Sequence, residues 1–480
     1  MSFKPTKQQE EIYRVIGETE DHLIINAGAG AGKTTTIVEA SKLVEDKKCA
    51  FLCFNKSIAT ELADRLPNHV EAKTFHSFGY AALRSAGIRT KMNNFKLVNI
   101  IKDVLGKDFH YAGLKKLISL MKGSLTSEFD RDGIYALIDE YDIQFYDDRQ
   151  ERIAINAIPK ILEICKQQTH IIDFDDMIWL PLVLDLTIPK YDILFVDEAQ
   201  DFNESQRELI DRAVNGGRCI IVGDPNQAIY GFRGADSNSM NMFKQRLLDK
   251  ISKRNVVELP LSVSFRCPKN VVAEANRYVK DFHALENAED GKVVEFATIA
   301  TAKKDDIILC RYNAPLVSAF YSMISAGQSC YILGRDMSKG LVNSVKKISK
   351  DMHMSSEEFW GLYQQQHDYE VEKALQQERK QKAIALEDKR ECIAIFVSKA
   401  KTVGGIIAEI EKVFDGNGKG DIMLSTVHKA KGLEADNVYV LATERMPHPK
   451  GGVEENNIIY VAITRAKKNL FYCGGKPTKN

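Results

Sequence analysis

No CxxC pair occurs among the nine cysteines, which stand singly at 49, 53, 165, 219, 267, 310, 330, 392 and 473. Such spacing writes neither a disulfide framework nor a zinc site, so reduced and mostly buried thiols are expected. Nowhere do 18 consecutive apolar residues appear, and the opening Met-Ser-Phe-Lys-Pro-Thr starts no apolar run of signal length. A soluble intracellular protein with no membrane contact is therefore expected. Net charge is missing as well, since 66 Lys and Arg balance 66 Asp and Glu. This argues against coating nucleic acid by bulk electrostatics, but a local basic groove stays open because binding depends on where the charges sit. No internal repeat or long low-complexity tract is present. What is there is 480 residues, 44% hydrophobic and 28% charged, too long for one ordinary core and too apolar for disorder, so two to four packed domains are expected.

The charges are unevenly placed. From Arg84 to Gly123 there are nine Lys and Arg against Asp103 and Asp108, whereas Ser124 to Glu151 carries nine acids against Arg131 and Arg149. Two helical faces that attract each other and a basic surface for a phosphate backbone are both compatible with this pattern. Apolar, β-branched runs at His22 to Ala27, Cys49 to Phe54, Ile193 to Asp197 and Cys219 to Gly223 have the rhythm of a parallel sheet in an α/β domain. A second set, at Lys292 to Phe296, Ile307 to Cys310, Ser329 to Leu333, Asp421 to Ser425, Asn437 to Ala442 and Asn469 to Cys473, predicts a second such domain. Helical spacing over about 81–171 and 337–418 predicts a helical insertion in each, the latter with a capping-box start at Ser355-Ser356-Glu357-Glu358.

After the strand Leu23-Ile24-Ile25 comes Ala27-Gly28-Ala29-Gly30-Ala31-Gly32-Lys33-Thr34 and then a helical pattern. Small residues let backbone N–H groups curl around phosphates, a helix N-terminus adds positive potential, Lys33 reaches the terminal phosphates and Thr34 can ligate Mg²⁺. The strict phosphate-loop pattern has Gly where Ala27 stands. Tyr191 to Glu198 is an apolar strand ending in two carboxylates, which suits Asp197 for holding Mg²⁺ through water and Glu198 for orienting the attacking water.

Asp197-Glu198-Ala199-Gln200-Asp201 and Gly223-Asp224-Pro225-Asn226-Gln227-Ala228-Ile229-Tyr230-Gly231-Phe232-Arg233-Gly234-Ala235 are far more specific than a phosphate loop. They resemble motifs II and III of superfamily 1A DNA helicases, the UvrD/Rep/PcrA group. Further matches follow in the family's order: Phe54-Asn55-Lys56-Ser57, Thr74-Phe75-His76-Ser77, Ser264-Phe265-Arg266, Ser425 to Glu434 and Tyr460 to Lys467. The Phe-Asn-Lys-Ser and Ser-Phe-Arg variants look closer to the F-box helicase and phage branches. The resemblance implies two RecA-like motor domains with ATP and Mg²⁺ between them: 1–80 with 172–253, and 254–336 with 419–480, interrupted by helical insertions at 81–171 and 337–418. It implies Lys33, Asp197, Glu198 and Gln227 as catalytic groups, with Arg266 and Arg465 acting on transition-state charge. Gln200 resembles a coupling residue. Gln9 would read the adenine edge, Phe265 would stack on adenine where the family usually has Tyr, Glu434 would contact ribose, and Thr35 replaces an Arg common near the base.

By the same resemblance, Tyr230 and Phe232 are base-stacking aromatics, Phe232 replacing the usual Trp. Phe54, Asn55, Lys56, Thr74, His76, Arg233 and His428 would line the same single-strand track with hydrogen bonds and phosphate contacts. The expected activity is ATP-dependent unwinding with 3′ to 5′ movement on single-stranded DNA, acting at single-strand/duplex junctions. Two alternatives are a single-strand translocase that strips bound proteins and unwinds poorly, favoured by the small second insertion, and a nucleotide-gated DNA clamp, disfavoured by the complete hydrolytic set.

Overall fold

In the computed structural model, which describes residues 4–53, 56–141, 143, 145–214, 216–229, 239–251, 254–376, 380–414, 420–448 and 454–479, the chain divides into two compact units. One comprises Met1–Gly28 with Gly32–Leu261 and the other Ala29–Ala31 with Ser262–Asn480. Both are α/β units of the RecA-like kind, each with a six-stranded parallel sheet and a helical insertion.

In the first unit, strands β1 (His22–Ala27), β2 (Cys49–Cys53), β3 (Val70–Thr74), β4 (Ile193–Val196), β5 (Arg218–Gly223) and β6 (Val256–Leu261) are arranged in the order β3-β2-β4-β5-β1-β6. Every pair is parallel. The central strands are buried nearly throughout, as near-continuous apolar runs require when helices cover both faces. The edge strands β3 and β6 mix buried and exposed positions. This moves the expected boundary: residues 256–261, assigned from sequence to the second domain, pair with β1 from His22↔Val256 to Ala27↔Leu261. The Glu and Pro in that run hide an edge strand, where half of the side chains face solvent.

Helix α1 (Lys7–Glu18) precedes β1, α2 (Lys33–Ser41) follows it, and α3 (Phe75–Ser85) follows β3. The first insertion contributes α4 (Lys96–Leu105), α5 (Ala112–Ser124), α6 (Arg131–Glu140) and α7 (Asp148–Gln167), before α8 (Phe174–Val183) and α9 (Glu204–Val214). Its core, with Ile101, Leu114, Ile118 and Ile158, runs on into Leu83 of α3 and Trp179 of α8. Those two helices pack so closely that a side chain at Gly79 would run into the Met177 carbonyl.

At the centre of this insertion Lys96 Nζ donates to Asp176 Oδ2 at 2.6 Å and to the Cys165 carbonyl at 3.0 Å, while Lys122 Nζ donates to Asp176 Oδ1 at 2.7 Å. Asp173 lies 3.7 Å from Lys122, and all three bonded side chains are buried. Burial alone would lower the Lys122 pKa, but Asp176 and Asp173 outweigh it and hold the ammonium charged. Two of the nine basic residues counted in the 84–123 stretch are therefore internal ion-pair partners of α8. Their partner is neither a phosphate backbone nor the neighbouring acidic block.

In the second unit β7 (Lys292–Val294), β8 (Ile307–Cys310), β9 (Cys330–Ile332), β10 (Ile422–Thr426), β11 (Ala435–Leu441) and β12 (Ala466–Tyr472) take the order β7-β12-β11-β8-β10-β9, all parallel. Helix α10 (Ala314–Ser325) follows β8, and the second insertion comprises α11 (Arg335–Ile348), α12 (Ser356–Gln376), α13 (Lys380–Val397) and α14 (Val403–Phe414). Helix α12 starts at the expected cap, Glu358 N donating to Ser355 Oγ at 3.1 Å. Helix α15 (Glu454–Ile463) precedes β12. Eight of the nine cysteines are buried and Cys473 is half-buried. No helix among the described residues is long and apolar enough to cross a membrane.

Asp176→Ala should leave two buried ammonium groups with Asp173 as the remaining nearby carboxylate, and is expected to destabilise the first unit by about 3–5 kcal/mol. Urea unfolding followed by circular dichroism checks this; a loss below about 1 kcal/mol would mean that the cluster is solvated.

Candidate active site

All first-unit strands run parallel, so β1, β4 and β5, neighbours in the sheet, end on the same edge. The loop after β1 turns on Gly30 (φ 67°) and Gly32 (φ 76°), left-handed conformations that other residues adopt with strain. Ala27, by contrast, is the last residue of an extended strand. A methyl group is tolerated there, which explains the departure from the strict glycine pattern. Gly32 caps α2 without a side-chain bond, so the first-turn N–H groups of α2 offer an anion site. Thr36 Oγ1 donates to the Gly32 carbonyl and accepts from Gln9 Nε2, each at 2.9 Å. Gln9, capped into α1 by Thr6, thus braces the loop from behind. Thr35 Oγ1 accepts from Arg65 at 3.2 Å.

Lys33 and the two acids after β4 meet as expected from sequence. Lys33 Nζ lies 3.0 Å from Glu198 Oε2, and Thr34 Oγ1 donates to Asp197 Oδ2 at 3.0 Å. Burial would lower the Lys33 pKa, but Glu198, Asp197 and Asp224 together keep it above its ordinary value. Burial, then the Glu198 charge, pushes the Asp197 carboxyl up to about 6, with Lys33 and Thr34 pulling the other way. Glu198 itself sits in the left-handed region (φ 58°, ψ 38°), a backbone strain found at sites where side-chain aim matters.

From Glu198 the bonding continues. Gln200 Nε2 donates to Glu198 Oε2 at 2.6 Å, Gln200 Oε1 accepts from Asp224 N at 3.0 Å, and Gln227 Nε2 donates to Asp224 Oδ2 at 2.6 Å. Lys33, Glu198, Gln200, Asp224 and Gln227 form one chain across three strand ends. Asp224 was given no role from sequence, although it repeats the signal of Asp197, an acid directly after an apolar strand. Its carboxyl is also raised, by burial first, with Lys33 and Gln227 opposing. Gly223 is needed here because a Cβ would lie 2.6 Å from Gln200 Oε1.

The other predicted residues fall elsewhere. Lys56, exposed, begins a helix after β2, and Thr74 ends β3, where its Oγ1 caps α3 by accepting from Ser77 N at 3.1 Å. His76 follows on α3, half-buried, its pKa lowered by burial against Asp175. Its ring meets Phe174 edge-on at 5.6 Å. Phe174, 54% exposed, was missed; its signal is an aromatic at the first helical position after the capping Asp173. In the second unit Phe265 is exposed, and Arg266 pairs with Glu434 and donates to the Thr464 carbonyl at 3.4 Å. Arg465 is buried and donates to the Val461 and Leu433 carbonyls at 2.9 and 3.2 Å. His428 lies in the turn after β10. Phe54, Asn55, Tyr230, Phe232 and Arg233 lie outside the described residues.

The UvrD/REP helicase N-terminal domain matches residues 6–247, and the UvrD-like helicase C-terminal domain matches residues 231–473. The chain belongs to the UvrD/REP helicase family. It is similar to F-box DNA helicase protein 1 of Schizosaccharomyces pombe, with 26% identity over 97% of this chain and 57% of that protein. It is also similar to a probable DNA helicase II homolog of Mycoplasma pneumoniae, with 29% identity over 56% of this chain and 41% of that one. The ATP-dependent DNA helicase PcrA of Bacillus subtilis is 25% identical over 95% of this chain and 81% of its own length. The chain spans about half the length of the first two relatives.

The raised Asp197 carboxyl makes a pH test. Unfolded, this group loses its proton near 3.9; folded, it keeps the proton up to about 6. Between those values the folded state binds more protons, so this group's contribution to stability falls as pH rises. Relative to wild type, Asp197→Asn should gain on the order of 2–3 kcal/mol between pH 4 and pH 7 without nucleotide or metal. Urea melts across that range measure the difference; parallel curves would place the titration elsewhere.

Proposed function

We propose that this chain is an ATP-dependent DNA helicase that moves 3′ to 5′ along single-stranded DNA and opens duplex at single-strand/duplex junctions. The observation that carries the reading is the bonded chain from Lys33 to Gln227, a set of groups suited to handling phosphate. Membership of the UvrD/REP helicase family supports it, and the polarity follows the family resemblance.

The donors at the first unit's strand ends fit Mg²⁺. Thr34 Oγ1 and Asp197 Oδ2 are hard oxygen groups 3.0 Å apart, and a buried carboxylate already beside Glu198 gains from a nearby cation. When bound, Mg²⁺ supplies charge neutralisation at the phosphate oxygens. The protein's own groups do the rest of the work at ATP. First-turn N–H groups of α2 and Lys33 hold the phosphates, Glu198 takes aim at the attacking water, and Gln227 senses the terminal phosphate. Arg266 and Arg465 supply positive charge to the transition state, an effect worth roughly 10³ to 10⁵ in rate for an arginine finger.

The strand track uses Phe54, Asn55, Lys56, Thr74, His76, Tyr230, Phe232, Arg233 and His428, to which the exposed Phe174 beside His76 is added. Stacking on such aromatics is worth about 1–3 kcal/mol per base and tolerates any base, as a motor stepping over arbitrary sequence needs.

Lys33→Ala is expected to reduce ATP turnover to below about a tenth of wild type, a barrier increase of more than about 1.4 kcal/mol. Glu198→Gln should stop turnover while Mg-ATP binding persists, measured by equilibrium binding and phosphate release. On matched duplexes, strand displacement is expected with a 3′ tail and not with a 5′ tail. Displacement confined to the 5′-tailed substrate would reverse the polarity, and DNA-stimulated turnover without displacement would favour the translocase reading.

A further inference from the structure

A domain inserted through two chain connections moves by default unless its interface with the parent is large and apolar. The second insertion departs from that default. One apolar core runs through Ile308 of β8, Leu316 and Val317 of α10, and Phe359, Ile393 and Phe396 of the insertion. Polar groups lock the same contact. Helix α10 begins at Ala314, and its cap residue Asn313 makes no side-chain capping bond of its own. The cap comes instead from Asp388 in the middle of α13. Its carboxylate accepts from Asn313 N at 2.9 and 3.0 Å, from Ala314 N at 3.0 Å and from Asn313 Nδ2 at 2.7 Å. A buried carboxylate at a helix N-terminus satisfies orphan N–H groups and meets the positive end of the helix dipole.

Nearby contacts extend the clasp. Glu391 pairs with Arg445 at 2.9 Å, and the Arg445 guanidinium lies 4.4 Å from the Tyr312 ring centroid. Towards the other end of α10, Tyr321 donates to Glu409 of α14 at 2.9 Å.

The segment so held, 311–313, leaves the sheet directly after β8. Cys310 lies opposite Thr426 of β10, and Val427 N donates to the Cys310 carbonyl at 3.0 Å. Residues 311–313 and 427–428 therefore leave the sheet side by side. We infer that the second insertion is a fixed extension of the second unit rather than a hinged domain, and that Asp388 is a positioning residue that holds the 311–313 segment beside His428. The second half of this inference rests on the DNA-motor reading, in which His428 faces the strand.

Pulsed thiol alkylation of the full chain in urea, read residue by residue by mass spectrometry, tests the first half. Cys392 belongs to α13, whereas Cys310 and Cys330 belong to the second sheet, and all three are buried. They should lose protection at the same urea concentration; exposure of Cys392 at a lower concentration than the other two would overturn the fixed extension. Asp388→Asn tests the second half. It keeps the shape but loses acceptor capacity, so single-strand affinity should fall about tenfold while turnover without DNA stays within about twofold and the three thiols still open together. Unchanged affinity in both Asp388→Asn and Asp388→Ala would overturn the positioning role. If the wild-type chain neither binds single strands nor hydrolyses ATP, the proposed function fails, and the alkylation result still decides whether the insertion is fixed.

Discussion

A largely buried lysine ammonium near three carboxylates is the constraint around which the first unit is organised. Lys33 opens α2 directly after the β1 loop, Asp197 and Glu198 follow the end of β4, and Asp224 follows the end of β5. Only a parallel arrangement with these three strands adjacent brings the groups to one edge, and the observed order does so. The negative charge exceeds the positive, and burial raises the Asp197 and Asp224 carboxyls. A charge imbalance of this kind is suited to a divalent cation and a nucleotide phosphate that arrive together. The left-handed Glu198 is the one strained position among these groups, and the positive-φ glycines let the loop turn toward the charges without strain.

The same parallel geometry separates two tasks along one edge. The groups proposed to hold nucleotide stand at the ends of β1, β4 and β5, whereas Lys56 follows β2 and Thr74 and His76 end or follow β3. Strand β4 lies between β2 and β5. The strand carrying Asp197 and Glu198 therefore borders the strand that leads to the proposed DNA contacts, and the Gln200 amide connects Glu198 to the loop on the other side. Coupling between fuel and track, in the proposed reading, needs no long path within this unit.

Both insertions are tied to their parent units by one aspartate placed inside an apolar core. Asp176 gathers Lys96 and Lys122 from two insertion helices onto α8, and Asp388 reaches from α13 to cap α10. Each carboxylate is buried and accepts several bonds, the condition under which a buried charge is tolerated and its geometry is strict. The consequence for function differs. The first cluster removes two basic residues from a stretch that composition left open to phosphate, whereas the second aligns a segment next to His428.

The central strands were legible because full burial on both faces demands unbroken apolar runs, and the phosphate loop because only glycine turns there without strain. The pairing of an acid-terminated strand with a Gly-Lys-Thr loop was legible for the same local reason. The edge strands β3 and β6 escaped because solvent on one side permits Glu, Lys and Pro in them. Asp224 could have been found from its own neighbourhood. Asp176 and Asp388 could not: their partners lie 80 and 75 residues away along the chain, and a carboxylate's own sequence does not state which donor it will face. Local sequence dictates which segments must be buried and where the backbone must turn. Which donors Asp176 and Asp388 would face was set by the fold, because such a buried contact is specified by chain closure over long separations and by the exclusion of water around it.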